Sequence, residues 1–177
     1  ISPTYKDEKI YKNYENYENK NLNNSKSYKK FGIAEVDIID NCFFVKKDQI
    51  KNNYFDEKYF LYFEEQDLFY QCRKNNLKVY FIPRLKIKHL RASSVSKDLK
   101  NIINLRTWHY MWSMFYFYKK NFNYFYAFNK TYLFLLKDLI KLFMYICIFD
   151  KYNCKIRFYR IYGLICSIIG INSFKRP

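Results

Sequence analysis

The chain reads as an α/β unit followed by a helical C-terminal region, and three observations carry that reading. Short β-branched and aromatic runs flank a helix of about three turns between residues 35 and 90. Beyond Lys100 the pattern changes to long aromatic and apolar stretches at helical spacing. Where strand gives way to helix lie three acids, Glu64, Glu65 and Asp67, directly behind the aromatic run Tyr59-Phe60-Leu61-Tyr62-Phe63. The α/β part is assigned to residues 1–99 and the helical region to residues 100–177.

Taken in order, Ile1-Ser2-Pro3-Thr4 reads as the end of a strand entering a turn. Residues 5–30 are Lys, Asn, Tyr and Glu with almost no aliphatic residues, including Tyr11-Lys12-Asn13-Tyr14-Glu15-Asn16, and predict a loop or low-complexity insertion. From Glu35 to Val45 the pattern predicts strand, tight bend at Asp40-Asn41, then strand. Lys47 to Lys51 predicts a short helical turn ended by Asn52-Asn53. A helix from Glu65 to Lys74 should close at Asn75-Asn76, because Asn tolerates the left-handed backbone that stops helices. Leu77 to Ile82 predicts a strand halted by Pro83, and Leu85 to Leu90 a second strand carrying His89.

Three long helices follow, Ile102 to Tyr118, Asn123 to Phe149 and Cys154 to Ile171. None reads as a membrane span. Tyr132 to Phe149 contains Lys137, Asp138 and Lys141, and Ile161 to Ile171 falls short of the roughly 20 residues a span needs. Lys137 and Lys141 lie one turn apart on one face, which fits a helix on a membrane surface or one packed on the domain with its lysines in water.

Lys and Arg total 32 against 16 acids, a net charge of +16, with 20 Tyr and 18 Phe. The partner should therefore be acidic: nucleic acid, an anionic membrane surface or a nucleotide-sugar diphosphate. Part of the Lys, Asn, Ile, Tyr and Phe bias is what an A- and T-rich genome writes into tolerant positions. The five cysteines, Cys42, Cys72, Cys147, Cys154 and Cys166, form no CxxC pair and sit among apolar neighbours, as small core residues of a reduced compartment do.

On a helix starting near Glu64, Glu64 and Asp67 share a face while Glu65 points toward Phe69 and Cys72. First-turn carboxylates meet the positive end of the helix dipole, which keeps them ionised, as a general base must be. The same acids also serve simply to satisfy a helix start. His89 has Lys86, Lys88 and Arg91 around it and Ser93-Ser94 after it, a composition suited to a diphosphate with a divalent cation.

The order Val36-Asp37, Phe55-Asp56-Glu57, Phe60 to Leu68, Arg73, Pro83, then His89 with Ser93-Ser94, resembles the C-terminal half of family 2 glycosyltransferases of the rhamnosyltransferase-like branch. Arg106 to Ser113 and Gly163 to Pro177 resemble that family's helical end. The resemblance implies a GT-A nucleotide-diphospho-sugar transferase fold and inverting transfer of a sugar, rhamnose at family level, from a nucleotide-sugar donor. The acceptor would be a glycan or lipid-linked glycan of cell-surface polysaccharide synthesis, at the cytoplasmic face of the membrane. Glu65 takes the general-base position, Glu64 and Asp67 the flanking acids, and His89 the metal-binding histidine. Asp37, Tyr62, Arg91, Ser93 and Ser94 would contact acceptor or donor.

The usual motif is Glu-Asp-x-Asp, so Glu65 is one methylene longer than the family base, and Asn41 stands where a glycine is common. The Asp-x-Asp ligands of the Mn or Mg cation belong to an N-terminal half with no counterpart before Glu35, so the 177-residue chain alone is expected to be inactive. A nucleic-acid-binding module would use the charge and the aromatic residues but not the acids, and no nucleic acid is expected as partner.

Overall fold

A computed structural model describes residues 2–5, 34–36, 38–39, 43–46, 55–87 and 99–175. The elements are β1 (Ser2–Tyr5), β2 (Ala34–Val36), α1 (Glu64–Lys74), β3 (Val79–Ile87), α2 (Leu99–Asn121), α3 (Tyr124–Cys147) and α4 (Lys151–Ile168). They form two compact units. One contains the sheet and α1 from Leu68 onward; the other contains Phe55–Asp67 and the three long helices.

In the first unit the strands run in the order β1-β3-β2, with β1 parallel and β2 antiparallel to β3. Pro83 does not halt the strand as the sequence suggests. It lies inside β3, between Phe81, which pairs with Ser2, and Lys86, which pairs with Thr4, where the register shifts. Proline lacks the amide hydrogen a ladder needs, and such an irregularity is where a strand can accept it. The second strand expected before Val45 is also absent, since residues 43–46 have no regular structure. Phe43 is used for packing instead, meeting Phe69 edge-on at 5.1 Å, while Phe44 is exposed. Leu68, Phe69 and Cys72 of α1 pack with Ile39 and Val79 as this unit's core.

The helix ends follow local chemistry. At the end of α1 the Leu77 amide donates to the Cys72 carbonyl and the Asn76 amide to Arg73, with Asn76 left-handed at φ 57°. This is the cap expected from Asn75-Asn76. The same two-bond closure ends α3, with Phe149 at φ 56°, and α4, with Gly170 at φ 82°. Asn123 caps α3 through its side-chain oxygen on the Tyr126 amide at 2.8 Å. Asp150 caps α4 in the same way on Asn153, which starts that helix at Lys151 rather than at Cys154.

The expected helical C-terminal region is present as three helices. From Trp108 to Phe115 every residue of α2 except Tyr110 is buried, so α2 is the central helix of its unit. Met111, Met114 and Phe115 pack with Ala127 of α3 and Leu164 of α4, and Trp108 and Trp112 with Cys166. His109, fully buried, bonds the Lys175 carbonyl through Nε2 at 2.9 Å and the Ser173 hydroxyl through Nδ1 at 3.2 Å. A carbonyl can only accept, so Nε2 carries the proton, and in the neutral ring the hydroxyl donates to Nδ1. Of the cysteines expected in the core, Cys72 and Cys166 are buried, whereas Cys147 is exposed on α3. No helix among the described residues is long and apolar enough to cross a membrane.

Candidate functional site

The acids at the start of α1 are set by an unusual backbone. Tyr62 and Phe63 both adopt left-handed conformations, φ 67° and 68°. For residues with a Cβ each such conformation costs on the order of 1–2 kcal/mol and persists only where surrounding contacts impose it. Those contacts are visible. The Ser113 hydroxyl donates to the Leu61 carbonyl at 2.9 Å, both rings pack on Tyr110 at 5.6 Å, and Phe63 also meets Phe117. The Phe63 carbonyl then accepts the Asp67 amide at 2.8 Å, so Phe63 occupies the position usually filled by Ser, Thr, Asp or Asn.

The three acids have separate surroundings. Asp67 is 4% exposed; one oxygen accepts Lys120 Nζ at 2.6 Å and the other Asn121 Nδ2 at 2.7 Å. Lys120 also binds Asp56 Oδ2 at 2.8 Å, and that oxygen takes the Tyr116 hydroxyl at 2.9 Å. One lysine thus ties two carboxylates to the last turns of α2, whose Tyr116 and Lys120 share a face at four-residue spacing. Asp56 makes a tight turn besides, accepting the Lys58 amide at 3.0 Å. Glu64 and Glu65 occupy the first turn half-buried. Glu64 acts electrostatically on the phenols of Tyr59 and Tyr62, and Glu65 sits on the adjoining helical position.

Burial would raise the Asp56 carboxyl, but hydrogen bonds from Lys120, the Lys58 amide and Tyr116 outweigh it and hold the group below its ordinary range. Lys120 is the mirror case. Burial would lower it, and its bonds to Asp56 and Asp67 keep it above its ordinary value. Burial pushes the Tyr59 phenol far up, with Asp67, Tyr116, Asp56 and Glu64 adding to the effect. Its buried hydroxyl has no hydrogen-bond partner among the described residues. Burial also pushes Tyr62 up, against the pull of Arg106.

Lys120→Met is therefore expected to destabilise this unit by about 2–3 kcal/mol, because it leaves the buried Asp67 with only Asn121 and removes the ion-pair partner of Asp56, which keeps Tyr116 and the Lys58 amide. Urea denaturation at neutral pH measures the loss. The pH profile carries a sign as well. The Asp56 contribution is complete above its unfolded value of 3.8 and fades as pH falls through the lower native value. The Lys120 contribution is complete below 10.5 and fades as pH rises through the higher native value. Melting temperatures of Lys120→Met should thus decline less at both extremes than those of the parent.

Of the residues singled out from sequence, the structure brings Tyr62, Glu64, Glu65 and Asp67 together at one helix start. Asp37, His89, Arg91, Ser93 and Ser94 lie outside the described residues. Among the described residues no cluster of His, Cys, Asp and Glu could hold a metal. Sequence reading missed Lys120, Asn121 and Tyr116, whose only local signal is a basic and polar end to an aromatic helix. The chain matches no protein-family model, no curated protein and no solved structure.

Proposed function

We propose that this chain is the acceptor-side portion of an inverting glycosyltransferase of GT-A type, with Glu65 as the general base. The order of motifs from Val36-Asp37 through Phe60 to Leu68 supports the reading. The observation that carries it is the strained Tyr62-Phe63 turn, which sets two first-turn glutamates beside an aspartate already committed to Lys120 and Asn121. Backbone strain of this kind concentrates where a side chain must be aimed.

In this reading the Glu65 carboxylate takes the proton of the acceptor hydroxyl as its oxygen attacks the anomeric carbon and the nucleoside diphosphate departs. The dipole of α1 favours the ionised carboxylate. Asp67 is the positioning acid, acting through Lys120 to hold the turn, and Glu64 and Tyr62 line the acceptor side. The divalent cation of the reading would be held by His89 and an upstream Asp-x-Asp, and would neutralise the leaving diphosphate.

Assay of the natural full-length protein against a panel of nucleotide sugars, with Mg²⁺ or Mn²⁺ and lipid-linked or free glycan acceptors, tests this. Glu65→Gln should lower kcat on the order of 10²–10⁴-fold, the usual contribution of a general base, with an unchanged melting temperature. Transfer at parental rate by Glu65→Gln would remove Glu65 from the chemistry. No transfer with any donor would leave the charge and aromatic surface to a binding role.

A further inference from the structure

The polarity of α3 is inverted. The residues it buries are Ala127, Thr131 and Asp138, and apart from Leu135, which packs on the core, and the half-buried Leu142, its large aliphatic and Phe side chains are exposed. Phe125, Phe128, Tyr132, Leu136, Leu139, Phe143 and Ile146 follow one another at steps of three and four, which places them on one side of the helix. Phe125 is 82% and Phe143 70% exposed. Over 24 residues the helix is about 36 Å long, so the stripe is far more extended than a scatter of surface apolar residues. Exposed Leu133, Ile140 and Met144 widen the apolar face on one side, and Lys130, Lys137 and Lys141, also exposed, recur at steps of seven and four just beyond them, on the side away from the stripe.

The turn after α3 continues the pattern. Phe149 is 86% exposed and holds the left-handed capping position that Asn76 and Gly170 occupy at the ends of α1 and α4. An aromatic residue there is disfavoured by the backbone and gains nothing from packing. Ile148 beside it is exposed too, and Lys151 and Lys155 follow on α4.

We propose that the outer face of α3 and the Ile148-Phe149 turn lie in the interfacial layer of a bilayer bearing anionic headgroups. The inference is independent of the transfer reaction, since it needs no catalytic step. Apolar side chains enter the acyl boundary while the lysines extend to the headgroups, the arrangement of a helix lying on a membrane. No described helix is suited to crossing, so the contact is peripheral. Charge selects the occupant. A net charge of +16 favours an anionic surface and opposes a second copy of the same chain.

Co-sedimentation with phosphatidylglycerol-containing and pure phosphatidylcholine vesicles tests the proposal. The chain should partition onto the first and much less onto the second. Phe143→Asp with Phe149→Gly should lower the partition by about tenfold or more, since each removes a buried aromatic ring from the bilayer. Phe149→Gly alone should weaken binding while keeping or raising the melting temperature, which separates membrane insertion from folding. Charge reversal at Lys130, Lys137 and Lys141 should lower binding to the anionic vesicles by about tenfold or more. The proposal is overturned by absence of binding to anionic vesicles, by equal binding to phosphatidylcholine, or by full binding of the Phe143→Asp, Phe149→Gly variant. A dimer abolished by the same substitutions, without vesicle binding, would overturn it in favour of a second copy.

Discussion

Gly163→Ala should unfold the helical unit at temperatures where the parent is intact. A Cβ on Gly163 would fall onto the Trp108 carbonyl oxygen, with the carbonyl carbon at 3.0 Å and Cα at 3.1 Å. Both sides of that contact are helix backbone, so no side chain can rotate aside. Relief requires α4 to move off α2, and the move disturbs what the approach builds: fully buried Trp108, Met111 and Leu164, and the bond from Trp112 Nε1 to the Ile171 carbonyl at 2.8 Å. Overpacking of this kind costs about 3 kcal/mol when the backbone must shift. At roughly 4–8 °C per kcal/mol for a unit of this size, the melting midpoint should fall by about 12 °C or more. Gly170→Ala is the control. It meets nothing within 4 Å, and its penalty of about 1 kcal/mol comes only from φ 82°. A Gly163→Ala midpoint no lower than that of Gly170→Ala would show that the helices do not approach this closely.

The contrast between these glycines marks what can be read from sequence. Asn75-Asn76 announces a helix end because the requirement, a residue tolerant of positive φ, is local. The long helices are legible for the same reason, though α4 begins three residues early because Asp150 supplies a cap that the apolar pattern did not reveal. At the candidate site the acids were legible and their separate roles were not. Asp67 is claimed by Lys120 and Asn121 from more than fifty positions away, and nothing near Asp67 encodes that choice. Phe43 and Pro83 failed for a related reason. Strand propensity reports fit to a pleated surface, and whether such a surface is offered depends on the neighbours the chain brings there. The outward face of α3 was half visible, since the lysine spacing could be seen but the direction of the stripe could not.

That direction is decided by Asp138, which gives the second large expected effect. Asp138 is the one acid of α3, and its carboxylate is 4% exposed. One oxygen accepts Arg157 Nη1 at 2.9 Å and the other Arg160 Nε at 2.7 Å, both from α4. Arginines three apart on one helix share a face, and a carboxylate between them offsets a repulsion that would otherwise oppose closure of the α3–α4 pair. Asp138→Ala should destabilise the unit by about 3 kcal/mol, at the lower end for breaking a buried pair because each guanidinium retains about a fifth of its exposure. Asp138→Asn keeps an acceptor for one arginine and should cost less. Replacing Asp138, Arg157 and Arg160 together by Met should restore most of the loss, because removing all the buried charges also removes their desolvation. Chemical denaturation of the four proteins separates these cases, and a loss below about 1 kcal/mol for Asp138→Ala would place the pair among weakly coupled surface contacts. If the pair is strong, it explains how α3 tolerates its inverted face: burying the acid against two arginines fixes the rotation of the helix, and that rotation turns Phe125, Leu139 and Phe143 outward.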